Sequence, residues 1–178
     1  MKINNEKRQL YFAYGANTNI DSMSVRCPKA ELVGKWILPN WRLTFRNVAD
    51  IEYAYKDKVH GVLWRITDDC EKSLDRFEGY PYLYRKEYIS VSIGNNKKLV
   101  EDLMWYKMNR GDESLPCSNY YYGIREGYVQ NGIDPVHLES VVEKLSRKIE
   151  IRNETYNITN EHVDIDDIRD DNQLKLIK

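Results

Sequence analysis

Gln9-Leu10-Tyr11-Phe12-Ala13-Tyr14-Gly15-Ala16-Asn17-Thr18-Asn19 holds the first architectural signal in the chain. Gln9 to Tyr14 are mostly apolar or aromatic and stop at a glycine, so they read as a strand, and Gly15 to Asn19 read as a polar turn. Ile20 to Arg26 then fit a short helix before Pro28. A strand that ends in a glycine turn and opens a helix gathers several backbone N–H groups in one concavity. Such a concavity suits an anion or a developing oxyanion, and Gly15 lets a ligand approach the backbone. An ordinary strand-to-helix turn would carry the same signature.

Downstream, strand-like runs occur at Leu32–Ile37, Trp41–Phe45, Ile51–Tyr55 and Val59–Ile66, with turn residues at Pro39-Asn40 and at 47–50. Strands this closely spaced predict an antiparallel sheet or barrel. Asp68–Glu78 reads as a helix, with Asp68 as N-cap, Glu71 three residues on, and Cys70, Leu74 and Phe77 on one face. Gly79 stands where a helix-ending glycine is expected. Tyr84–Ile93 alternates as a strand, Gly94-Asn95-Asn96 signals a hairpin, and Leu99–Tyr106 is the return strand. Ser118–Gln130 and Asp134 to about Lys148 read as helices, with Pro135 opening the second. From Glu150 the chain is polar, with an acidic cluster at 164–171. The expected division is therefore a domain over 1–150 and a loosely attached tail over 151–178.

Length and composition bound the function. The 178 residues suit one domain with a sizeable core, and 42% apolar residues exceed what a disordered chain carries. Lys+Arg 27 against Asp+Glu 28 leaves no basic excess, so no nucleic-acid partner is expected. Fourteen Tyr supply rings with hydroxyls, suited to a core or to a polar pocket wall. Cys27, Cys70 and Cys117 are odd in number and far apart, which argues against disulfides and zinc. No signal-like or 18-residue apolar segment is found, so a cytoplasmic location with no membrane partner is expected, and the sequons at Asn153 and Asn157 carry little meaning. His60, His137 and His162 lie apart in sequence and read as structural or surface residues. No Walker or GxGxxG loop is present.

Two further segments can carry chemistry. In Leu74-Asp75-Arg76-Phe77-Glu78-Gly79-Tyr80, Glu78 falls on the buried side of the helix, four residues after Leu74. Desolvation and the C-terminal end of the helix dipole both push such a carboxyl's pKa up, toward proton transfer near neutral pH. A surface glutamate, or one paired with Arg76 or Arg85, fits the same pattern. In Pro116-Cys117-Ser118-Asn119-Tyr120, a loop enters a helix and Tyr120 can turn a hydroxyl into a cleft or pack in the core.

Taken together, these segments resemble the γ-glutamylcyclotransferase family. Its opening strand followed by Tyr-Gly-Ser-Asn corresponds to Tyr11-Phe12-Ala13-Tyr14-Gly15-Ala16-Asn17. Its Gly-Val-x-Trp strand, and the helix that ends Leu-Asp-x-x-Glu-Gly, correspond to Gly61-Val62-Leu63-Trp64 and Leu74 to Gly79. Tyr84 and Tyr106 match later tyrosines of the family. Pro116 to Tyr120, then Asn131-Gly132, match its loop and following helix. The likeness spans roughly residues 9 to 145 in order. Ala16 and Cys117 stand where the family usually has Ser, which leaves substrate preference open.

The resemblance implies an α+β fold, a small mixed or antiparallel β-barrel with flanking α-helices. It implies an enzyme that converts γ-glutamyl amino acids or amines to 5-oxoproline and free amine, with Glu78 as acid/base. It also implies a substrate site over Tyr11, Phe12, Ala13, Tyr14, Gly15, Ala16 and Asn17, with Tyr84, Tyr106 and Tyr120. No metal or organic cofactor is implied. The partner is the small-molecule γ-glutamyl substrate, in a monomer or homodimer. A binding module that kept the cavity without turnover is the alternative, and the intact Glu78-Gly79 pair argues against it.

Overall fold

The structure, a computed structural model, describes residues 8–93 and 99–161. Its elements are β1 (Arg8–Ala13), a 3-10 turn (Ala16–Thr18), α1 (Ile20–Arg26), β2 (Glu31–Arg46), β3 (Val48–Thr67), α2 (Asp68–Glu78), β4 (Tyr84–Ile93), β5 (Leu99–Met108), α3 (Ser118–Gln130) and α4 (Val136–Glu161). The strands form one mixed five-stranded sheet in the order β2-β3-β1-β5-β4. β1 is central: it pairs antiparallel with β3 and parallel with β5. That placement follows from its composition, since Leu10, Tyr11, Phe12 and Ala13 are all buried and a strand covered on both faces needs a continuous apolar run.

The α+β class stands, and the barrel is corrected: the ladder is not closed from β4 to β2. Hydrogen bonds from single groups approach that closure. The Tyr84 hydroxyl donates to the Ala49 carbonyl (2.7 Å), and the Met108 N–H donates to Asp50 Oδ1 (2.9 Å). These tie the start of β3 to β4 and to the end of β5 and enclose a space beside β1.

The four short strands expected over 32–66 are two long ones. Pro39-Asn40 is not a turn but an irregularity inside β2, where the pairing jumps from Pro39↔Lys58 to Trp41↔Tyr53. β2 is an edge strand, where a proline is tolerated. Asn40 (φ 62°) and Lys56 (φ 67°) absorb the bend, and Asn40 Oδ1 accepts from the Lys56 N–H at 3.1 Å.

α2 starts one residue earlier in its capping than the sequence suggested. Thr67, not Asp68, is the N-cap, its side chain accepting from the Cys70 N–H. Asp68, Asp69 and Glu71 instead fill the first turn, where the dipole favours negative charge. At the other end Gly79 is left-handed (φ 63°). The Tyr80 N–H donates to the Asp75 carbonyl (2.9 Å) and the Gly79 N–H to that of Arg76 (3.4 Å), the paired bonds of a Schellman ending. This ending makes Glu78 the last residue of the helix and fixes where its side chain starts.

α3 lies against the 3-10 turn because Gly127 has no side chain: a Cβ there would stand 2.5 Å from the Asn19 nitrogen. α4 runs unbroken to Glu161, across the division expected at 150, and its residues 151–157 are exposed. The Gly94-Asn95-Asn96 turn, His162 and the acidic cluster lie outside the described residues. Among the described residues, no helix is long and apolar enough to cross a membrane.

Candidate active site

Glu78 enters the space beside β1 from the end of α2. Its Oε1 accepts from Asn17 Nδ2 at 2.9 Å, and the same Nδ2 donates to the Tyr11 hydroxyl at 2.9 Å. Asn17 is held at its backbone as well, its carbonyl accepting from Trp64 Nε1 at 3.1 Å. The Glu78 carboxyl is pushed up from 4.5 to about 7, above all by burial; the charge of Arg26 and the Asn17 hydrogen bond pull the other way. The two arginines considered from sequence are not its partners: Arg76 is exposed and Arg85 bonds Glu87 at 2.7 Å.

Around the carboxyl stand phenols from four elements. Tyr14, after β1, donates to the Tyr106 carbonyl (2.6 Å), and Tyr106 on β5 donates to Asp75 Oδ1 (2.6 Å). Tyr84 on β4 is committed to Ala49. Tyr120 on α3 accepts from the Ala49 N–H at 3.1 Å. Burial raises the pKa of each of these four phenols and of Tyr11, that of Tyr120 to about 12, so the wall is neutral and polar at physiological pH.

The cavity is lined by Tyr11, Tyr14, Gly15, Ala16, Asn17, Glu78, Tyr84, Tyr106 and Tyr120, together with Ala49 and Phe77, and has a volume of about 20 Å³, room for roughly one water. Nine residues singled out in the sequence thus converge there. Phe12 and Ala13 do not. Phe12 is fully buried on the opposite face of β1 from Tyr11, and Ala13 is buried and paired with Val62.

Sequence reading missed Arg26, Asp75, Ala49 and Phe77. Phe77 was assigned to the buried helix face, yet it is 46% exposed and lies under the Arg26 guanidinium, 3.6 Å from the ring centroid. Only the length of α1 brings Arg26 there, and no local pattern encodes that. Asp75 enters through Tyr106, which sequence spacing does not reveal.

Two larger hollows, about 400 and 620 Å³, share His60 and His137. Those histidines, read as unrelated, are stacked with centroids 3.7 Å apart. Volume alone would favour these hollows. The elevated carboxyl and the converging hydroxyls favour the small cavity, since a perturbed acid in a cleft marks chemistry better than size does.

Comparison with known proteins gives the family and the fold. The family model for gamma-glutamyl cyclotransferase, AIG2-like, matches residues 11–123. Gamma-glutamylcyclotransferase of Bos taurus is 28% identical over 137 residues, covering 70% of this chain and 72% of its own. Its Mus musculus counterpart is 28% identical over 145 residues, covering 74% and 76%. A solved gamma-glutamyl cyclotransferase structure superposes with a TM-score of 0.66 at 24% identity, over 76% of this chain and 86% of that one, which bears on the fold alone. The matched segment runs from Tyr11 in β1 into α3, spans the whole cavity, and covers well over half of the chain, so the protein belongs to the gamma-glutamyl cyclotransferase, AIG2-like family.

Proposed function

We propose that the protein is a γ-glutamylcyclotransferase that releases 5-oxoproline and a free amine from a γ-glutamyl amino acid or amine, with Glu78 as acid and base. The observation that carries this reading is the Glu78 carboxyl, enclosed by phenols and poised at about 7. Attack needs a neutral α-amine. Glu78, ionised, takes a proton from the substrate's ammonium; the freed lone pair attacks the substrate's own γ-carbonyl carbon and closes a five-membered ring. The carbonyl electrons move onto oxygen, then return as the C–N bond to the leaving group breaks. Glu78 gives its proton to the departing amine, then takes the second proton from the ring nitrogen and passes it to the released amine, which leaves as an ammonium, so Glu78 ends as it began. A positioned acid/base typically contributes about 10²–10⁴-fold.

The oxyanion faces the 3-10 turn that follows Gly15. The first N–H groups of such a turn have no acceptor within it, and one lost oxyanion donor typically costs about 10²–10³-fold. Ring closure also gains from holding amine and carbonyl in contact. A glutamyl group exceeds a volume of about 20 Å³, so binding requires the lining to part. The Tyr11-to-Asn17 segment, Tyr84, Tyr106 and Tyr120 then contact the glutamyl moiety, with Phe12 and Ala13 acting only through the backbone they share with that segment.

A panel of γ-glutamyl amino acids, γ-glutamyl amines and γ-glutamylated lysine, monitored for 5-oxoproline, tests the assignment. Release from at least one class is expected. Binding without release from any class would leave the non-catalytic module as the reading.

A further inference from the structure

Asn17 touches Glu78 with one end of its side-chain amide, and which end that is matters. An ionised carboxylate only accepts hydrogen bonds, and an amide has a donor end and an acceptor end of nearly the same shape. Here Nδ2 faces Glu78 and Tyr11, while Oδ1 accepts from an Arg26 guanidinium N–H. Flipping the amide would set its oxygen against the carboxylate and its NH₂ against the guanidinium, so both contacts would turn repulsive.

The guanidinium is itself held. It sits 3.6 Å from the centroid of the Phe77 ring, a cation–π contact. It also leaves the last turn of α1, where the dipole favours a cation. We propose, on the reading that Glu78 is the acid/base group, that Arg26 is its positioning residue: clamped between the Phe77 ring and the Asn17 amide oxygen, it keeps the donor end of that amide on Glu78.

The other groups facing Glu78 do not duplicate this. β1 offers Tyr11 and Tyr14's approach, β4 Tyr84, β5 Tyr106 and α3 Tyr120, all phenols that burial keeps protonated. On α2, Asp75 is matched by Lys86 at 2.7 Å. Arg26 is therefore the cation acting on Glu78, and it favours the charged carboxylate. Lysine would keep that charge without the flat guanidinium that lies over the Phe77 ring while one of its N–H groups holds the Asn17 amide oxygen.

The test is a carbon NMR titration of protein labelled at the glutamate side-chain carboxyl, in wild type, Arg26→Met and Arg26→Lys, with the Glu78 signal assigned by its loss in Glu78→Gln. Turnover against pH is read alongside. Arg26→Met should raise the Glu78 midpoint by about one unit or more, move the acid limb of kcat/KM up with it, and lower kcat by about tenfold or more. Arg26→Lys should hold the midpoint near wild type yet leave kcat lowered. An unmoved midpoint in Arg26→Met, or wild-type kcat in Arg26→Lys, overturns the proposal. If Arg26→Met fails to fold, Arg26→Lys decides alone through kcat. If the wild type turns over no γ-glutamyl compound, the functional reading fails, and the titration still decides what Arg26 does to Glu78.

Discussion

A carboxyl moved from water into the cavity beside Tyr11 and Asn17 loses hydration, and its elevated pKa records what that costs. Unfolded, Glu78 titrates near 4.5; folded, near 7. Between those values the folded state binds the extra proton, so stability falls as pH rises through this window and is lowest above it. The penalty is on the order of 3 kcal/mol. Glu78→Gln removes it: the variant should unfold at higher denaturant concentration than wild type at pH 8, and the gap should close by pH 4. A carboxyl paired out of danger at the surface would show no such pH-dependent gap. The same elevation predicts a kcat/KM limb near pH 7 that rises with pH, because the base form must be present to take the ammonium proton. That Glu78 lies on the half-buried side of α2 was legible from its place four residues after Leu74. The hydrogen bond from Asn17 was not, since the two residues are 61 positions apart and meet only because β1 and α2 flank one space.

Elements set these residues by their ends. Gly79 ends α2 in the left-handed region, and a Cβ added there would stand 3.2 Å from Leu83 Cβ. Gly79→Ala should cost about 1 kcal/mol or more from the unfavourable backbone alone. Because it shifts the residue next to Glu78, it should lower kcat by more than that loss of stability explains; chemical denaturation and kinetics on one preparation separate the two. At the opposite end, Thr67→Ala removes a capping bond and should cost about 1 kcal/mol with kcat unchanged. The bounds of α1, α2 and α3 and the glycine stop were readable because their signals are local; the end of α4 was not, since the chain beyond Glu150 turns polar while the helix runs on to Glu161. The merging of four strands into β2 and β3 was not: Pro39-Asn40 has the composition of a turn, and only the edge position of β2 lets the chain pass through it as strand. The N-cap was misplaced by one residue because Thr67 and Asp68 are both good caps, and the end of β3 chooses between them.

The whole molecule is a sheet whose central strand is buried and in which β3 is tied to β4 and β5 by single bonds, Tyr84 to Ala49 and Met108 to Asp50, rather than by a closing ladder. α4 is docked on it through His60 and His137, stacked ring on ring. Burial and the neighbouring ring lower the His60 pKa from 6.5 to about 4, and its Nε2 is buried without a protein partner. Lys58 adds to the cost of a positive charge on His60. Unfolded histidine takes a proton below about 6.5 and the folded one resists, so stability should fall as pH drops from 6.5 toward 4. The loss is on the order of 1 kcal/mol after allowing for partial exposure. His60→Phe should flatten that part of the curve. Histidines so far apart in sequence gave no hint of meeting, because their contact depends on how α4 crosses the sheet. The measurement that bears most directly on the account is 5-oxoproline release by purified Glu78→Gln, on a substrate the wild type turns over, with retained fold and binding checked on the same sample. The account predicts a fall of at least about 10²-fold with binding kept; release near the wild-type rate would contradict it.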